Sequence, residues 1–281
     1  VLSAIDQITD TTDSATRITA RTLTILGATQ VGDYDVADPL VVDGNWLDTE
    51  VEELNILGGS DDTPVGHGDV SINEQDELYI RDVALQFGIG SRFSVVTGDD
   101  TDTGDIWVGS IDAQSGNVYL TTPDRINDQV SDDLPTGELD IVASRVELRG
   151  DDGIGNVRGL ELAAQEIYGE TVTDDADIFL TNITEANVEV TLLVPGEYSD
   201  ITFGQEGDGD VDMLQATAED GNVSLSADDS SITTYEVYAV TDAVDDLAAG
   251  VLTIEAGEDV RVMEDLTADN GIFVGAVNNI E

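Results

Sequence analysis

The chain repeats a phrase, and that repetition constrains its fold more than any other feature. The clearest copy, VELRGDDGIGNVRGLELAAQEIYGETVTDDADIFLTN, spans residues 146–182. It reads as a short apolar strand (Val146, Leu148) and then a glycine-rich corner (Gly150, Gly153, Gly155). A second strand (Leu160, Leu162) and a third (Ile167, Tyr168) follow, and after a polar corner an acid opens a fourth, Asp177-Ile-Phe-Leu. Partial copies lie at 23–42 and 85–110. The closing half returns as Gly104-Asp-Ile-Trp-Val, Gly116-Asn-Val-Tyr-Leu, Gly221-Asn-Val-Ser-Leu and Asn270-Gly-Ile-Phe-Val. A unit of this size cannot bury its apolar face alone; stacked neighbours do it for one another.

Alternating apolar runs of three to five residues are short for the strands of a sandwich, but they suit a coil with two or three strands per turn. The expected fold is all-β, a parallel β-helix (β-solenoid) of short strands with Gly/Asp-rich corners. Each coil would take roughly 20–24 residues. Composition barely shifts along the chain and no linker stands out, so residues 1–281 are expected to form a single domain. Residues 1–16 would be its lead-in or cap: Leu2, Ile5 and Ile8 at spacing three suggest a short helix or an extended segment. Residues 58–68 and 123–137 read as displayed loops, and 242–249 as a helical turn or a corner. The chain opens on Val1 and is taken as a processed protein or a segment of a longer one.

Charge narrows the setting. Sixty-one Asp and Glu oppose nine cations, all of them Arg, for a formal net charge of −52. Such self-repulsion destabilises a compact state in dilute buffer. Molar salt shortens the screening length to about 3 Å and removes most of that penalty. This acidic, lysine-free composition resembles that of extreme-halophile proteins and implies dependence on bulk monovalent cations. Nucleic acid is excluded as a partner, because phosphate binding needs clustered cations, and the nearest group, Arg145, Arg149 and Arg158, sits among acids. No run of 18 apolar residues offers a membrane span. Without cysteine there is neither a disulfide nor a thiolate metal site.

Residues 146–182, with the partial copies at 23–42 and 85–108, resemble the haemagglutinin-type repeats of filamentous-haemagglutinin-like exoproteins. The resemblance implies a secreted right-handed parallel β-helix that acts as a long adhesin or surface fibre. It carries no catalytic residues. The expectation is therefore an extracellular structural and adhesive protein: a stiff acidic rod on the cell surface, partnered by a surface glycan or receptor. One rival is a filament or surface-layer subunit, in which copies associate head to tail through open strand edges. Another is a carbohydrate-active β-helix enzyme or a viral tail spike, with Arg145 or Arg149 at its site; an enzyme is not the expectation.

Two acidic loops are candidate calcium sites. Asp99, Asp100, Asp102 and Asp105 lie within seven residues, and Asp208, Asp210 and Asp212 alternate. Calcium takes six to eight oxygens, commonly at turns rich in Asp and Gly. Neither loop has EF-hand spacing, and solvated acidic corners are the competing reading. Asn182-Ile-Thr and Asn222-Val-Ser are candidate glycosylation acceptors. His67, alone between two glycines, reads as a surface loop residue. Trp46 and Trp107, each alone on a strand, read as core or edge packing rather than sugar platforms.

Overall fold

The computed structural model describes residues 1–3, 7–8, 18–26, 30–31, 46–57, 69–85, 91–98, 104–129, 139–155, 159–240 and 250–281. These residues form 26 strands and no helix. Each strand pairs in parallel with a strand from the next turn of the chain, which makes the fold a parallel β-solenoid, as the repeats imply. Contacts divide it into two compact units: residues 1–124 with 128–146, and residues 125–127 with 147–281.

The second unit is the regular one. Ile178–Asn182, Ile201–Gln205, Val223–Ala227, Val251–Ala256 and Gly271–Ala276 form one ladder. Glu166–Glu170, Val188–Val194, Val211–Glu219, Ile232–Val240 and Val260–Ala268 form the other. Ile178 is paired with Ile201, Ile201 with Val223, Val223 with Leu252 and Leu252 with Ile272, so the rungs are 23, 22, 29 and 20 residues long. The long rung contains residues 241–249, which lie outside the described part. Identical registers stack like on like: Leu180, Phe203, Leu225 and Ile254 make one buried column. Each such side chain leaves water completely, worth about 1.5–3 kcal/mol apiece.

Two corner residues show why the phrase is spelled as it is. Gly155 has φ 71°, in the left-handed region where a side chain is strained. At Gly221 a Cβ would lie 1.9 Å from the Ser199 carbonyl oxygen of the preceding rung. The acid or amide that opens a strand also has a structural task. Asp177 Oδ1 accepts the Asp200 N–H at 2.8 Å, Asp200 Oδ1 accepts the Asn222 N–H at 2.7 Å, and Asn222 Oδ1 accepts the Val251 N–H at 3.0 Å. The side chain at each strand entrance thus satisfies a backbone donor of the next rung, where the ladder has not yet begun.

The first unit is less regular. Ile18 pairs with Thr49, 31 residues on; Glu53 pairs with Tyr79, 26 on; Leu78 pairs with Ile106, 28 on. On its other ladder Val31 pairs with Val70, 39 on, and Val70 with Phe93, 23 on. Most of these rungs therefore exceed the expected coil of roughly 20–24 residues. Inward residues follow a bent pattern here: Leu78, Ile80, Val83 and Leu85, then Ile106, Val108, Ile111 and Ala113, all buried. The steps are two, three and two, because two outward residues between the halves carry the chain around a bend. The second unit uses the same steps at Val211, Met213, Ala216 and Ala218.

Of the two readings of residues 1–16, the extended one holds where the chain is described: Leu2–Ser3 and Gln7–Ile8 are strands, each paired with the following turn at Ile25–Leu26 and Gln30–Val31. Within 123–137, Arg125–Asp128 is a strand whose Ile126 is fully buried, so the polar run hides one rung position. Residues 58–68 and 242–249 lie outside the described residues.

Candidate functional site

The acidic loops divide. Asp99, Asp100 and Asp102, like His67, lie outside the described residues. Asp105 stands at a strand entrance, its carbonyl accepting the Leu78 N–H. Asp210 Oδ1 accepts the Ser231 N–H at 3.0 Å, Asp212 points outward from a strand, and Asp208 is exposed in the turn. These three carboxylates serve separate tasks. Among the described residues no group of three or more His, Asp or Glu is placed to hold a metal ion.

The sequon asparagines also differ. Asn182 is fully buried: its amide donates to Ala164 O at 3.2 Å and Gln205 Oε1 at 2.9 Å, and its oxygen accepts the Ala164 N–H. Gln205, also buried, passes the chain of bonds to Thr184 O. This is an internal amide ladder, and the folded chain has no room for a glycan at Asn182. Asn222 is exposed, but it donates to Asp200 Oδ1 at 3.0 Å and accepts from Val251.

The guanidiniums are largely spent within the fold. Arg149 bridges Glu147 at 3.1 Å and Glu170 at 3.3 Å and covers the Tyr168 ring. Arg261 pairs with Asp259, and Arg92 lies 4.7 Å from the Tyr119 ring centroid. Burial, followed by the hydrogen bond to Glu170, pushes the Tyr168 hydroxyl up to about 12. The site considered for Arg149 is thus an ion-paired outer face.

What sequence reasoning missed lies on the first unit. Tyr79 and Trp107 occupy outward positions on adjacent rungs, directly in register. Their rings are 5.8 Å apart and within 8° of parallel. Trp107 therefore does not stand alone, whereas Trp46 is buried. Glu77 Oε1 accepts both the Trp107 indole N–H at 2.5 Å and the Tyr79 hydroxyl at 3.2 Å. Burial and the neighbouring Glu77 charge raise the Tyr79 hydroxyl above its ordinary value. Arg81 flanks the Tyr79 ring and is tied to Glu53 at 3.1 Å.

Glu77 also lines a cleft of about 370 Å³. Ala20 and Val51 form part of the wall, with Glu50 and Asp76 beside them. Arg21 and Glu52, paired at 3.1 Å, complete one rim and are exposed. Beneath the cleft Glu74 is buried, accepting the Thr49 hydroxyl at 2.7 Å, the Val51 N–H at 3.0 Å and the Gln75 N–H at 2.9 Å. Desolvation raises its pKa even so. These bonds fix the bend of Leu47–Leu57 and hence the cleft wall at Val51. The one signal that could have revealed the pair is the spacing of Tyr79 and Trp107, 28 residues, equal to that of Leu78 and Ile106.

No protein-family model, curated protein or solved structure matches the chain.

Proposed function

We propose that the chain is an extracellular structural and adhesive repeat protein, a stiff acidic solenoid displayed on a cell surface in high salt. One observation carries the reading: carboxylates stack in register, Asp177 on Asp200 at the strand entrances and Glu166, Glu189 and Asp212 along the other ladder, in a chain of net charge −52. Stacking like charges at rung spacing is tolerable only where salt or cations screen them. The haemagglutinin-type resemblance of residues 146–182 agrees with a fibre whose work is mechanical.

A second reading, a self-assembling filament or surface-layer subunit, is favoured by the rung of Val260–Ala268 and Gly271–Ala276. Met263, Ile272 and Phe273 are exposed there, as are Val277 and Ile280 just beyond. A further rung, of this chain or of a second copy, would bury apolar area and satisfy the strand edge.

Circular dichroism and light scattering during salt and calcium titrations test both readings. A β spectrum that emerges in molar sodium chloride, with monomeric scattering, supports the surface fibre. Scattering that rises with the β signal supports the filament. Full β structure in dilute buffer without calcium contradicts the salt-dependent account. Folding by millimolar calcium at low salt would return the acidic loops to the role of cation sites.

A further inference from the structure

We infer that the cleft and the aromatic pair of the first unit together bind a neutral glycan. The inference rests on the adhesive reading and gives it a site.

The inward positions of these strands, Leu78, Ile80, Ile106 and Val108, are aliphatic and fully buried. The two large rings instead stand on the outer face, half-buried, where they fill no core. They are held rigidly, since both polar edges bond to the same oxygen of Glu77. Neither bond uses Glu77 Oε2, and Glu77 lines the cleft as well. The rings stack on one another and Arg81 flanks Tyr79, so the pair offers a sugar its outward edges with the Glu77 carboxylate at the margin: pyranose C–H groups pack against the rings and hydroxyls donate to the acceptor.

The cleft supplies the second half. Its volume lies in the range of small-ligand sites. Ala20 gives it a small apolar surface, and Glu50, Asp76 and Glu77 give it acceptors. Carboxylates alone would suit any cation; the adjoining rings are what select a sugar. At contact distance, inside the screening length, the carboxylates of the cleft repel uronates, sulfates and phosphates. In molar salt, attraction of a cationic ligand is screened within about 3 Å, whereas ring stacking and direct hydrogen bonds persist. A neutral, hydroxyl-rich oligosaccharide is the class that satisfies all of these terms.

The test uses the full chain in molar sodium chloride. Trp46 is buried and Trp107 half-buried, so a change in indole emission reports chiefly on Trp107. The probes are neutral β-1,4-linked hexasaccharides of glucose, mannose and N-acetylglucosamine, with hexagalacturonate and hexaglucosamine as charged controls. At least one neutral probe is expected to change the emission saturably. Glu77→Gln, which retains the side-chain shape, and Tyr79→Ala should each weaken that binding about tenfold or more while the β spectrum persists. Phe179→Ser, on the second unit, should leave it unchanged. Binding of hexaglucosamine alone among the probes would overturn the inference in favour of simple charge attraction. Retention on the same glycans immobilised separates the two levels. If wild type, Glu77→Gln and Trp107→Ala are all retained equally, the adhesive reading stands and this site is wrong. If the wild type is retained by none of them, both fall.

Discussion

The two units wind the same way but spend their residues differently. In the second, the described rungs recur at 20–24 residues except across residues 130–138 and 241–249, and side chains at the strand entrances link one rung to the next. In the first, rungs run from 23 to 39 residues; Asp69 makes one entrance link, to the Arg92 N–H, and the others are individual: buried Glu74 at one bend, Tyr79 on Trp107 at another. The irregular unit holds a cleft lined by Glu77, the same residue that binds the outward aromatic pair. The contrast suggests that the regular unit supplies stiffness and that recognition resides where the repeat breaks.

Breaking the regular unit should cost most at its corners. Gly221→Ala places a Cβ against backbone that cannot retreat without opening the rung, so a loss of about 3 kcal/mol or more is expected from the midpoint of denaturant unfolding. Asn182→Ala comes next. It leaves the Ala164 backbone and Gln205 amide groups unpartnered in the core, a cost of about 2–3 kcal/mol in the same assay. Asn222→Ala, on the exposed entrance ladder, should lose only about 1 kcal/mol. Equal losses at Asn182 and Asn222 would erase the distinction between inner and outer ladders.

Titration sharpens the comparison. Burial holds Asp69 and Glu74 in the first unit, and Asp177 in the second, above their ordinary values of 3.8 and 4.5. A carboxyl raised in the fold binds more protons folded than unfolded. Its stabilising contribution is complete below the unfolded value and is lost as pH rises through the folded one. At moderate salt the thermal midpoint should therefore rise as pH falls from neutral toward those ordinary values. Glu53, held low first by the Thr22 hydroxyl, opposes this, but it is exposed and screened. The smallest expected effect is spectroscopic. Tyr168, pushed up to about 12, should be the last tyrosine to ionise in an ultraviolet titration, and Tyr168→Phe should delete that step.

Much of the architecture was legible because stacking writes itself into sequence as repetition. The glycine corner at 150–155 and the acid before Ile178 mark real rung features. The bend was equally visible, as the two-three-two spacing of Leu78, Ile80, Val83 and Leu85, and would have marked the rungs of the first unit. The site was not legible. Its partners are neighbours only across rungs whose lengths vary with inserted loops, so Trp107 reads as solitary until Tyr79 is placed beneath it. Asn182 misled for a related reason: a sequon states nothing about facing, and its strand alternation with Ile178 and Leu180 turns it inward.

Residue-resolved hydrogen exchange in molar salt tests the central claim, that side chains at the strand entrances link one rung to the next. The amides of Asp200, Asn222 and Val251 lie at or just before strand starts, yet each donates to a side-chain oxygen of the preceding rung. They should exchange as slowly as their strands, and Asn222→Ala should release Val251 while leaving Asp200 protected. Exchange at loop rates for all three in the wild type would contradict the ladder and the account of the regular unit built on it.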